Sequence, residues 1–142
     1  MSSVIFVDFR AAARLLLAEG GVRAPIDRTI ATTTSLLEID LLRMLERRRA
    51  AALLAERAFA AKRRECERLL DSMYVMPVGD EVLELASDEY PFAVSTIDSL
   101  YVATAQVVAR ETPNLELWTH DPAVASAATH RGLTVRGVET AA

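Results

Sequence analysis

Five short apolar runs alternate with helix-forming stretches along the whole chain, and this alternation limits its fold more than any other feature. Val4-Ile5-Phe6-Val7 is continuous, apolar and closed by Asp8. Such a run suits a strand buried on both faces. Ile30–Thr32, Met73–Val78, Leu115–Thr119 and Leu133–Val135 are the other strand candidates, with Met73–Val78 expected to be buried. Ala11 to Ala18 is rich in Ala and Leu, and Gly20-Gly21 is expected to stop that helix. From Ser35 to Ser72 there is no Gly or Pro, and Leu and Ala recur at helical spacing. One helix of that length is unusual in a small domain, so two are expected, with a break near Arg47–Ala50. Asp80–Glu89, Ser95 to Arg110 and Asp121-Pro122 to Arg131 complete the helices. This order predicts an α/β fold: three layers, with a central parallel sheet flanked by helices.

The chain has 142 residues, 51% of them hydrophobic and 25% charged. It can bury a substantial core, and a single domain over residues 1–142 is expected. No apolar run is long enough to span a bilayer, and no basic segment precedes an apolar stretch at the start. The lone Cys66 reads as an inert helix residue. A cytoplasmic protein fits these features. The formal net charge of -4 argues against coating nucleic acid by bulk attraction. Basic residues are nevertheless clustered, at Arg43, Arg47, Arg48 and Arg49 and again at Lys62, Arg63 and Arg64.

Open parallel sheets carry their sites at the carboxyl ends of the strands. Four acids fall there. Asp8 follows the first strand, and Asp121 lies two residues beyond Leu115–Thr119. Glu38 and Asp98 each lie in the first turn of a helix. Each also has a structural explanation. Ser35-x-x-Glu38 and Ser95-x-x-Asp98 match a capping box. Asp121-Pro122 is a helix cap followed by Pro at the first helical position. Asp8 is suited to cap the first helix. The argument changes if the four converge. Two unit charges about 4 Å apart repel by roughly 4 kcal/mol at an effective dielectric near 20. A hard divalent cation with oxygen ligands relieves that conflict. No His or Cys cluster with zinc-ligand spacing is present, which disfavours zinc.

Val4-to-Asp8, Ser35-Leu36-Leu37-Glu38, Thr96-Ile97-Asp98-Ser99-Leu100-Tyr101-Val102-Ala103-Thr104-Ala105 and Thr119-His120-Asp121 form a series of motifs spread along the whole chain. In these motifs and their order the chain resembles the PIN-domain ribonucleases, in particular the VapC-type toxins of toxin–antitoxin pairs. The resemblance implies a PIN-like fold and hydrolysis of RNA with Mg²⁺ or Mn²⁺. It gives Asp8 and Asp98 the role of central metal ligands, with Glu38 and Asp121 completing the site. It also implies a cognate antitoxin lying across helices of the Leu36–Leu70 region, and a homodimer. The family usually has Thr or Ser after its first Asp, whereas Phe9 and Arg10 stand here. That departure opens a second reading, a binding or regulatory module that has lost turnover. A nucleotide-binding protein fits less well, because neither Gly-x-Gly-x-x-Gly nor Gly-Lys-Ser/Thr occurs.

Around these acids, Arg10 and Arg14 are spaced to share a helix face and are candidates for RNA phosphate contacts, or simply a solvated surface. The Arg43–Arg49 cluster admits the same two readings. His120 is a candidate base. Thr119 is a candidate hydrogen-bond partner of the site, and Trp118 a half-buried strand residue.

Overall fold

A computed structural model describes residues 3–138. The strands are β1 (Val4–Val7), β2 (Ile30–Thr34), β3 (Tyr74–Met76), β4 (Glu116–Trp118) and β5 (Thr134–Arg136). The helices are α1 (Phe9–Leu16), α2 (Leu36–Ala50), α3 (Glu56–Asp71), α4 (Asp80–Ala86), α5 (Thr96–Glu111) and α6 (Pro122–His130). All strand pairs are parallel, in the order β3-β2-β1-β4-β5. α1, α2 and α3 pack on one another, and α4 and α6 pack on α5. The result is the expected three-layer α/β arrangement. Among the described residues, no helix is long and apolar enough to cross a membrane.

β1 is central and its Ile5, Phe6 and Val7 are fully buried, as a continuous apolar run requires. β2 is also buried from Ala31 to Thr34, although it reads Ile-Ala-Thr-Thr-Thr. Its hydroxyls are satisfied inside the sheet: Thr32 Oγ1 donates to the Ile5 carbonyl and Thr33 Oγ1 to the Val7 carbonyl, both at 2.8 Å. A buried hydroxyl without such a partner is costly, so these bonds are what admit Thr to the core.

Two boundaries and the burial of one strand differ from the sequence expectation. The first helix stops at Leu16, before Gly20-Gly21, because Ala18 adopts a left-handed conformation (φ 53°) and Glu19 N–H bonds the Arg14 carbonyl. The α2–α3 break lies just beyond Ala50, where Ala52 does the same (φ 58°) and Leu53 N–H bonds the Arg48 carbonyl at 2.8 Å. Both are helix stops of the kind usually built on Gly, made here with Ala at a cost of about 1–2 kcal/mol each. β3 was expected to be buried, yet it is a sheet edge with Tyr74 69% and Val75 45% exposed.

Candidate active site

The sheet order reverses between β1 and β4. β1 connects through α1 to β2 on one side, while β4 connects through α6 to β5 on the other. A crevice opens at the carboxyl ends of strands flanking such a switch point. Asp8 sits there, its N–H bonded to the Trp118 carbonyl at 3.2 Å. Thr119 follows β4 and is tied to β5 through the Arg136 carbonyl at 3.0 Å. Gly137 (φ 95°) packs so tightly here that a Cβ would stand 2.6 Å from the Thr119 carbonyl oxygen. Only glycine meets both demands.

Asp8 is 2% exposed. One carboxylate oxygen caps α1 by accepting the Ala11 N–H at 2.9 Å, and the other accepts the Thr119 hydroxyl. Burial raises its pKa to about 7. The bonds from Thr119 and Ala11 lower it, and the charges of Asp121 and Asp98 raise it further. Thr119 Oγ1 also accepts the Asp121 N–H at 3.0 Å, so one hydroxyl joins the two acids. Asp121 caps α6 through Ala123 N–H at 2.9 Å. Asp98, half-buried in the first turn of α5, has its pKa raised by burial, opposed by a hydrogen bond from Ser95, then raised by Asp121, lowered by Arg10 and raised by Asp40. Asp8, Asp98 and Asp121 therefore share one electrostatic neighbourhood. Capping is real as well: Asp8 and Asp121 cap α1 and α6, and Ser95 caps α5 by accepting the Asp98 N–H at 3.1 Å.

Glu38, the fourth acid expected there, is not among the charges that act on Asp8 or Asp98. It is exposed, and its charge acts on the buried Cys66 thiol of α3, whose pKa is raised first by burial and then by Glu38 and Glu67. Asp40, two residues on and about 200° around the helix, is the α2 acid on the side of the cluster. Its Oδ2 accepts the hydroxyl of Tyr101 at 2.7 Å. Tyr101 is buried on α5, and burial together with Asp40, Asp8 and Asp98 pushes its phenol well above the usual range. Ser35 likewise makes no side-chain cap to α2, so the capping box expected there does not form.

Arg10 pairs with Asp121 (Nε to Oδ2 4.0 Å) rather than with Asp8. Phe9 brings no hydroxyl to Asp8, but Thr119 reaches the same carboxylate from β4. Thr119→Val should therefore cost about 1–3 kcal/mol at pH 8, where Asp8 ionises without its donor. The loss should be smaller at pH 5, where Asp8 is neutral. Denaturant unfolding at the two pH values measures this, and equal losses would show that Thr119 only fills space.

The donor set is all carboxylate oxygen, which suits a hard cation such as Mg²⁺ or Mn²⁺. Among the described residues, no three Asp, Glu, His or Cys side chains form a ready metal-binding group. A cation here would be held by one or two carboxylates, with water or substrate oxygens in its remaining positions, as Mg²⁺ commonly is.

No protein-family model matches the sequence, and no curated protein matches it significantly. Solved structures do match. A chain of VapBC2 from Rickettsia felis, crystallised with a DNA fragment from their promoter, superposes with a TM-score of 0.65 at 7% identity, over 94% of this chain and 97% of that one. VapC20 from Mycobacterium tuberculosis, a toxin that cleaves the sarcin–ricin loop, gives 0.57 at 21% identity, over 87% and 94%. VapBC-5 of the same organism, a member of the VapBC toxin–antitoxin family, gives 0.57 at 16% identity, over 97% and 99%. With likeness along nearly the full length of each, the chain has the PIN-like fold of the VapC-type toxin–antitoxin proteins.

Proposed function

We propose that the chain is a Mg²⁺- or Mn²⁺-dependent endoribonuclease, the toxin of a toxin–antitoxin pair. The observation that carries this reading is the Thr119 hydroxyl joining Asp8 and Asp121 at the carboxyl ends of β1 and β4, with Asp98 near enough for its charge to act on Asp8. Asp8 and Asp98 are the central ligands, Asp121 an outer one, and Asp40 joins them in the place first given to Glu38. Tyr101 orients Asp40, and Thr119 orients both Asp8 and Asp121. A divalent cation held here would acidify a water and neutralise charge on the phosphodiester. Fold likeness to a toxin that cleaves an RNA loop supports RNA as the substrate class, and likeness to VapBC proteins supports an antitoxin partner. The same reading extends to a cytoplasmic homodimer.

One observation favours a second reading, a module without turnover. The guanidinium of Arg10 already stands beside Asp121, in the neighbourhood a metal would enter, and Phe9 follows Asp8. An RNA cleavage assay with Mn²⁺ separates the two. Under the nuclease reading, cleavage requires the metal and falls at least about 100-fold in Asp98→Asn. No cleavage, with RNA or partner binding intact, would favour the module.

A further inference from the structure

The tertiary fold joins two arginine pairs that are far apart in sequence. Arg10 and Arg14 on α1, and Arg47 and Arg48 at the end of α2, line one cavity of about 300 Å³. Among the described residues Glu19 is the only acid in its wall, and His120, the neighbour of Asp121, lines it too.

Basic residues at a helix C-terminus are favoured by the dipole, which accounts for arginines in the last turn of α2. It does not account for two more arginines facing them from α1. Their partners differ in a telling way. Arg43 pairs with Glu46, and Arg49 pairs with Glu56 at 3.9 Å and lies over the Phe59 ring. Arg47 and Arg48 have no ion-pair partner among the described residues. Thus, within the α2 cluster, the two arginines facing this cavity are ones the protein leaves without an anion. Arg14 is held in place by the Gly20 carbonyl at 3.0 Å. Several guanidiniums gathered with one carboxylate repel one another unless an anion enters. The cavity also adjoins the acidic crevice, because Arg10 lies 4.0 Å from Asp121.

We propose that this cavity is an RNA-binding subsite that holds a backbone phosphate of a strand lying across the adjoining acids. The inference rests on RNA being the ligand of the adjoining site. Arginine suits the role because its fork of N–H donors matches phosphate oxygens. Gripping a flanking phosphate would fix the register of the strand across the acids without reading its sequence.

The test is binding of a fluorescent 12-nucleotide single-stranded RNA to the full chain over a salt series, with RNA cleavage followed in parallel. The double variant Arg47→Gln/Arg48→Gln is compared with Arg57→Gln/Arg64→Gln, an equal charge change at exposed α3 positions outside the cavity. A deca-glutamate peptide serves as a second probe. The cavity variant should lose roughly tenfold in RNA affinity near 0.1 M salt, and its salt slope should fall by about 0.7, the single-strand value for one phosphate. The control should change less than about twofold. Unaltered melting temperatures would show that the exposed substitutions leave the fold intact. Equal losses in both doubles would overturn the subsite, leaving only bulk charge. Loss of deca-glutamate binding with RNA binding retained would also overturn it, giving the cavity to an acidic protein segment. The expected RNA-binding loss in a chain that never cleaves RNA would support the subsite while sinking the nuclease reading.

Discussion

Replacing Asp8 by Asn should raise the thermal stability of the metal-free protein at pH 8 and end RNA cleavage. The folded chain keeps Asp8 protonated up to about pH 7, against an ordinary value of 3.8. The cause is burial first, with the Asp121 and Asp98 charges adding to it. Between pH 4 and 7 the native state thus holds a proton that the unfolded chain has released. Stability must fall as pH rises through that window and level off above it. The gap between the two pKa values sets an upper bound of about 4 kcal/mol on the loss. Asp8→Asn removes this pH dependence and keeps the shape. The side-chain oxygen can still accept the Ala11 N–H, and the new amide can donate to Thr119 Oγ1. The expected gain at pH 8 is up to about 10 °C, shrinking towards zero at pH 4. Mn²⁺ reverses the ranking, because it binds the ionised carboxylate. At a hundred times its dissociation constant it should add about 2.7 kcal/mol to the natural chain and little to the variant. Calorimetry from pH 4 to 8, with and without Mn²⁺, checks both halves. If the metal-free variant melts no higher at pH 8, Asp8 carries its charge without strain and the case for a cation weakens.

Asp40→Asn and Glu38→Gln should separate just as sharply in activity. Both acids lie early in α2, and the proposed site takes Asp40, which bonds Tyr101 and acts on Asp98. Mn²⁺-dependent cleavage should drop about 10–100-fold or more in Asp40→Asn. Glu38→Gln should stay within about threefold, as expected of an exposed side chain away from the chemistry. Its trace should appear elsewhere, as a slightly lower pKa of the Cys66 thiol, read from the pH dependence of alkylation. The opposite ranking of the two variants in cleavage would return Glu38 to the site.

Why Glu38 and not Asp40 stood out in the sequence has a geometric answer. The buried stripe of α2 is Leu37, Leu41, Met44 and Leu45. At about 100° per residue, Glu38 and Asp40 flank that stripe on opposite sides, each roughly 80° from its centre. Helical periodicity treats the two alike. Which flank meets other acids depends on α3 lying along one side and α5 along the other. The capping-box spacing from Ser35 drew attention to Glu38, and the cap does not form. The helix stops at Ala18 and Ala52 were hidden for a related reason, since nothing about Ala announces a left-handed turn.

Local chemistry along the chain determined the order of strands and helices and the caps at Asp8, Ser95 and Asp121, because periodicity and capping act within a few residues. It also marked Asp8, Asp98 and Asp121 as acids after strands or at helix starts. The tertiary structure decided that the carboxylate Thr119 bonds is that of Asp8, that Asp40 bonds Tyr101 and acts on Asp98, and that Arg10 and Arg14 share a cavity with Arg47 and Arg48. Those pairings span tens to more than a hundred residues. They follow from the β3-β2-β1-β4-β5 order and the helix packing across it, which no local pattern encodes.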